Sequence, residues 1–194
     1  MIINVVGFDP SLRNWGIACG TYDTVSRQIL IPEVSVIQPV LPEGKQVRQN
    51  SKDVEAAYQL TVGALAVVHN AQAIFSEIPV NSQSARAAAA YGVVCGVSGA
   101  LRAANVPFFE LTPTEVKVAA TRNKNATKDD MIKWAMAKHP EANWPMQKKK
   151  GEVVVIEGKA EHMADAIGAI YAGISSIPFQ QLLQMLTATT QKRA

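Results

Sequence analysis

Residues 3–9, INVVGFD, are almost continuously apolar and end in an acid, the pattern of a strand covered on both faces. WGIACGTY (15–22) predicts a second strand, and the link PSLRN has the Pro, Ser and Asn of a turn. QILIPEVSVI (28–37) predicts a third, with Pro32 marking a bulge or a sheet edge. Three strands joined by short links predict an antiparallel meander. Ala56, Leu60, Gly63, Ala64 and Val67 then recur at helical spacing, predicting a helix over roughly 52–70. AIFSE (73–77) is a short strand that again closes on an acid. The alanine-rich stretch 82–104 predicts a helix capped by Ser82. On it Gly92 and Gly96 share a face with Ala88 and Ala100, so another backbone can come close, either the sheet or a second subunit. VPFFEL (106–111) is a further strand. Thr112, Pro113 and Glu115 spell a helix start with a capping box, and TKDD (127–130) repeats the device before MIKWAMAKH. A polar stretch with Pro and Lys covers 143–158, and a closing helix is expected from near Glu161 to about Ser175. The order βββ-α-β-α-β-α-α-α is that of an α/β chain with a mixed sheet. No repeat or linker divides it, so 1–194 reads as a single domain.

Composition narrows the class. Hydrophobic residues make up 48% and charged residues 18%, which suits a packed core and excludes a disordered chain. The net charge of +3 permits a nucleic-acid partner without requiring one. The bias is local: from Leu111 to Ala160 there are ten Lys/Arg against six Asp/Glu, densest at QKKKG (147–151). Cys19 and Cys95 belong to no CxxC pair, which argues against a thiolate zinc site or a disulfide framework. MIINVVGFDP lacks a basic leader and reads as a strand, and the apolar-looking run 87–101 is too short to span a bilayer. The expectation is a soluble, intracellular protein.

The chemistry lies in acids at the ends of core elements. Asp9 ends the first strand, Glu77 ends the fourth, and Asp165 lies early in the closing helix. Folded together without basic partners, they would repel and hold their protons too tightly. A divalent cation removes that problem, and oxygen ligation favours Mg²⁺ or Mn²⁺. Two such ions about 4 Å apart form a clamp for phosphoryl transfer, one preparing water and one stabilising the leaving oxygen. Each acid also has a plain reading: Asp9 as a turn residue before Pro10, Glu77 as a solvated strand end, Asp165 as a favourable charge in a first helical turn. Glu161 and Asp165, four apart, repel on one helix face, which favours a cation. His162 is open between an ordinary histidine, a metal ligand and a proton shuttle.

GFDPSLRNWGIA, IFSEIPV, TPTEVKVAATRNKNATKDDM and EHMADAIGAIYAG together resemble the RuvC family of Holliday junction resolvases, over most of the chain and in order. The resemblance implies a ribonuclease H-like fold: a mixed five-stranded sheet with an initial antiparallel meander and helices on both faces. It implies a site of Asp9, Glu77, His162 and Asp165 binding two Mg²⁺, with Mn²⁺ as a substitute, and Glu161 behind them or facing solvent. It implies a crossover junction endodeoxyribonuclease of DNA recombination and repair, a homodimer through helix 82–104 that nicks four-way DNA junctions symmetrically. Ser11 stands where the family usually has glycine, NSQSARAAA lacks an aromatic residue after the second acid, and the insert around 143–158 is long. That insert resembles divergent phage or organellar members more than the typical bacterial enzyme. The expected location is the cytoplasm, that of the host for a phage-encoded chain, ahead of an organelle.

Lys117, Arg122, Lys124 and Lys128 cluster on a helix–loop–helix, Lys148, Lys149 and Lys150 lie in the later insert, and Arg13 closely follows the first acid. Such side chains neutralise phosphates, although each alone also reads as a solvated surface charge. Competing functions are a nuclease for flaps, other branched DNA or RNA, and a non-catalytic junction binder.

Overall fold

Strict alternation along the first strand sends Ile3 and Val5 into one apolar cluster and Val6 and Phe8 into another, so the sheet divides two cores. The computed structural model describes residues 1–44, 47–80 and 84–191, with side chains as far as 186. The strands are β1 (Ile2–Asp9), β2 (Trp15–Asp23), β3 (Ile29–Ile37), β4 (Ala73–Glu77), β5 (Phe108–Leu111), β6 (Met146–Lys149) and β7 (Glu152–Val155). The helices are α1 (Gln49–Val68), α2 (Ala85–Arg102), α3 (Pro113–Thr121), α4 (Lys128–Lys138), α5 (Glu157–Ser175) and α6 (Ile177–Gln191). The main sheet has the order β3-β2-β1-β4-β5. β1, β2 and β3 form the antiparallel meander, while β4 and β5 join parallel to β1. This is the mixed five-stranded sheet expected. α1 and α2 cover one face, and α3, α4 and α5 cover the other.

Local chemistry explains most boundaries. Thr112 accepts a hydrogen bond from the Glu115 amide, and Glu115 reaches back to the Thr112 amide. Thr127 and Asp130 repeat that reciprocal pair at the start of α4. β3 is an edge strand, as Pro32 suggested, and the ladder to β2 shifts register between Cys19 and Thr21. α2 begins later than expected: Ser84 caps it by accepting from the Ala87 amide, and Ser82 lies outside the described residues.

Three expectations change. The stretch 143–158 is not irregular but holds the antiparallel hairpin β6–β7, a separate two-stranded sheet. α5 starts at Glu157, a turn before the expected Glu161, without a capping side chain. It is not the last helix, because α6 follows after a break at Ser176, with Pro178 in its first turn. Phe179 on α6 is fully buried against Phe75 and Phe109, a docking that local pattern does not announce. Among the described residues, no helix is long and apolar enough to cross a membrane.

Candidate active site

β1 and β4 are parallel neighbours in which Phe8 pairs with Ser76, so the next residues, Asp9 and Glu77, end side by side at one edge of the sheet. Alternation places both on the face covered by α5. That helix lies unusually close. A Cβ on Gly7 would meet the Ala166 carbonyl, and one on Gly16 would meet the His162 carbonyl, so both glycines are there for backbone approach rather than for backbone conformation. Bare strand at these two points brings His162 and Asp165 over Asp9. The sequence reading did not pick out Gly7 or Gly16 as site residues, although glycine inside a strand is the signal for such contact.

His162 Nδ1–H donates to Asp9 Oδ2 at 2.6 Å, and its Nε2 lies 3.5 Å from Glu161 Oε1. The turn after β1 is held instead by Ser11, whose hydroxyl donates to the Asn14 carbonyl and accepts from its amide. Asp165 sits two turns inside α5, so the first-turn dipole reading of its charge does not apply. Its Oδ1 is buried and, among the described residues, has no hydrogen-bond partner.

The electrostatics are those of crowded carboxylates. Burial, then the charges of Asp9 and Asp165, push Glu77 up to about 8, with Lys117 opposing. Burial, then Asp9, push Asp165 up to about 7, against His162 and Lys117. Burial pulls His162 down, but its bond to Asp9 and the charges of Asp9, Glu161 and Asp165 outweigh this and raise it. Glu161 is tied to Lys128 by a 2.8 Å ion pair.

The acids share one neighbourhood but do not close on a common point: among the described residues, no three His, Cys, Asp or Glu side chains are arranged to hold a metal ion. The donor chemistry nevertheless fits a hard divalent cation. Burial and neighbouring carboxylates make Glu77 and Asp165 costly to ionise, and among the described residues an Asp165 oxygen lacks a partner.

The expected basic residues lie on α3, α4, the loop between them, the β1–β2 turn and the β6–β7 hairpin. Lys117 on α3 is near enough to act on both Glu77 and Asp165. Lys128 is engaged with Glu161 rather than free. Arg122 closes α3 in a left-handed conformation and, like Lys124, is exposed. Arg13 is exposed in the β1–β2 turn. Lys148, Lys149 and Lys150 are exposed on the β6–β7 hairpin. The tryptophans are structural. Trp15 is fully buried, Trp134 packs edge-on to Tyr171, and Trp144 donates from its indole nitrogen to the His139 carbonyl.

Comparison with known proteins gives the family. A crossover junction endodeoxyribonuclease RuvC from Anaeromyxobacter sp. (strain K) is 33% identical over 136 residues, covering 68% of this chain and 66% of that protein. The chain belongs to the RuvC family. The matched segment spans just under two thirds of that relative's length. A second relative of the same name, from Anaeromyxobacter dehalogenans (strain 2CP-C), matches over the same length at 33% identity. No protein-family model matches the chain. The RuvC fold is also seen in structural comparison. Thermus thermophilus RuvC in complex with Holliday junction substrate superposes with a TM-score of 0.62 at 18% identity, covering 88% of this chain and 92% of that one. The yeast mitochondrial Holliday junction resolvase Ydc2 gives 0.57 at 18% identity, covering 98% and 84%. These likenesses establish the ribonuclease H-like architecture that the sequence motifs implied.

Proposed function

We propose that this RuvC-family chain, read as one nuclease domain over 1–194, is a divalent-cation-dependent DNA endonuclease that resolves four-way junctions by paired nicks. The reading rests on one observation above all: strand-end acids Asp9 and Glu77 and helix acid Asp165 meet at one edge with more negative charge than the protein offsets. The relatives' names and the junction-bound neighbour point the same way.

Asp9, Glu77, His162 and Asp165 would hold Mg²⁺, in the pair of ions that suits phosphodiester hydrolysis, with Mn²⁺ as a substitute. When bound, the cations supply a water of lowered pKa and stabilise charge on the leaving oxygen. The chain's own residues do the rest. Asp9 fixes the His162 ring through Nδ1, leaving Nε2 to carry a proton beside the acids. Lys117 supplies fixed positive charge where a phosphate approaches Glu77 and Asp165. Lys128 offsets part of the Glu161 charge beside the acids through its ion pair. Arg13, Arg122 and Lys124, all exposed, would contact phosphates farther along the strand.

Two symmetric nicks need two sites, and α2 suits a second copy of the chain. Gly92, Gly96 and Gly99 lie on its open side, where among the described residues an added Cβ meets nothing within 4 Å. The work is placed in the cytoplasm, that of the host if the chain is phage-encoded.

The test is nicking of four-way, three-way, flap and linear duplex DNA of equal length, with Mg²⁺ or with chelator. Cation-dependent cutting strongest on the four-way junction supports the reading. Equal cutting of linear duplex refutes junction selectivity, and cutting in chelator refutes the cation. Solution mass at several concentrations tests the dimer.

A further inference from the structure

Among the described residues only Val155, at its base, packs the β6–β7 hairpin against the core, and neither strand joins the five-stranded sheet, yet the hairpin is firmly rooted. Glu141 Oε1 accepts from the Ile31 amide, Asn143 Oδ1 accepts from the Val34 amide, and the Asn143 amide donates to the Pro32 carbonyl. The chain thus climbs along edge strand β3 in the direction of Ile37. Ile37 pairs with Trp15, beside the Gly16–Asp9 pair, so the climb leads to the edge of the sheet that holds the acids. At the top, the Ile156 amide donates to the Pro145 carbonyl and closes the hairpin's base, while Trp144 and Val155 pack on the core. α5, with His162 and Asp165, begins immediately after.

Beyond that base the hairpin is unsupported. All of β6 is exposed, as are Glu152 and Val153 of β7. A two-stranded ribbon without a covering layer is marginal in water, so its retention needs a reason outside the fold. Its tip turns through Lys150 and Gly151, at φ of 51° and 88°. Two positive φ values suit a tight hairpin turn, but the first position favours Asn, Asp or Gly. Here it carries lysine, as do the two positions before it. Among the described residues, none of Lys148, Lys149 and Lys150 is in an ion pair, although Glu152 is the register partner of Lys149. Lys148 shares a ribbon face with Met146 and Val153, which are 46% and 61% exposed. A narrow ribbon with an apolar ridge and cations at its tip fits the groove and backbone of a nucleic-acid duplex.

We infer that the β6–β7 hairpin is a DNA-gripping arm that holds a duplex segment flanking the acid site, from the β3 side. Lys117 enters the same edge from the other side, on α3, which follows β5 at the opposite border of the sheet. The two together bracket the strand to be cut. The arm acts on affinity for duplex in general, not on recognition of the branch point. This inference rests on the nuclease reading only for the identity of the duplex as DNA.

The test uses the full chain with Asp165→Asn to prevent cutting, and measures binding to a four-way junction and to linear duplex DNA across a salt series. K148A/K149A/K150A is expected to weaken both about tenfold or more at low salt, and to reduce the slope of log K against log salt by about 2 to 3, one lysine per phosphate. K148R/K149R/K150R is expected to restore both. Parental affinity and slope in the alanine variant would overturn the arm while leaving the nuclease reading intact. So would a loss confined to the junction. A parent protein that binds and nicks no DNA would overturn the nuclease reading and the arm together. A parent that grips linear duplex through these lysines but ignores junctions would retain the arm and reject junction resolution.

Discussion

Gly16→Ala is the sharpest probe of how the acid site is assembled. The added Cβ would stand 2.6 Å from the His162 carbonyl carbon and 3.0 Å from its Cβ, closer still to the carbonyl oxygen. Ordinary contact begins near 3.4 Å, so α5 must retreat by at least roughly 0.8 Å at His162. No flexible side-chain end can absorb the clash, because backbone is on both sides. Overpacking of this kind costs about 3 kcal/mol, the upper end for one extra methyl in a core. For a chain of this length that lowers the melting temperature by about 10 °C. The same retreat pulls His162 off Asp9, whose hydrogen bond is now 2.6 Å long. A displacement near 1 Å in a reacting constellation costs about a hundredfold in rate. Single-turnover nicking, measured well below both melting points, separates that loss from instability. Gly92→Ala is a control for melting alone: among the described residues its Cβ meets nothing within 4 Å, so the isolated protomer gains about 0.5–1 kcal/mol of helix propensity. A Gly16→Ala protein that melts and cuts like its parent would refute the claim that bare strand seats α5 over Asp9.

Asp165→Asn removes one charge from the crowded edge. It is expected to keep the fold and junction binding and to abolish cation-dependent nicking, and parental nicking would reject its role. In chelator, stability should be greatest in acid, because Glu77 rises from 4.5 to about 8 and Asp165 from 3.8 to about 7 on folding. The folded state binds their protons more tightly, so stability falls as pH rises from about 4 to about 8. Melting curves should show that decline, and added Mg²⁺ should raise the melting point more at pH 8 than at pH 5; a flat profile in chelator would contradict the crowding. Asp53 behaves oppositely: Arg86, at 2.7 and 2.8 Å, holds it down at about 2 from 3.8. That contribution is present above about pH 4 and lost as pH falls toward 2, and Arg86→Ala should flatten this acid limb of the denaturation profile.

Much of this protein could be read locally. The meander follows from three apolar runs separated by turn residues, and the starts of α3 and α4 follow from capping residues that make the hydrogen bonds they advertise. Asp9 and Glu77 were visible as acids closing apolar strands, and motif resemblance joined them to His162 and Asp165. The misses also have physical causes. α6 carries a weak start signal, and its key residue, Phe179, is committed by aromatic contacts far away in sequence. The hairpin shows no apolar alternation, since β6 is exposed throughout and β7 is half-buried only at Val154 and Val155. Lys128 had the right charge for a phosphate, and only packing revealed Glu161 beside it.

What the amino-acid order alone determined is the set of elements that short-range forces can specify: strand and turn alternation, helix caps, and the placing of acids at strand ends. Only the tertiary structure decided that Asp9 and Glu77 share a face, that two glycines let α5 descend onto them, and that the lysine-tipped ribbon emerges at their edge. Those facts depend on register and on the distance between backbones far apart in the chain, which no local run of residues encodes.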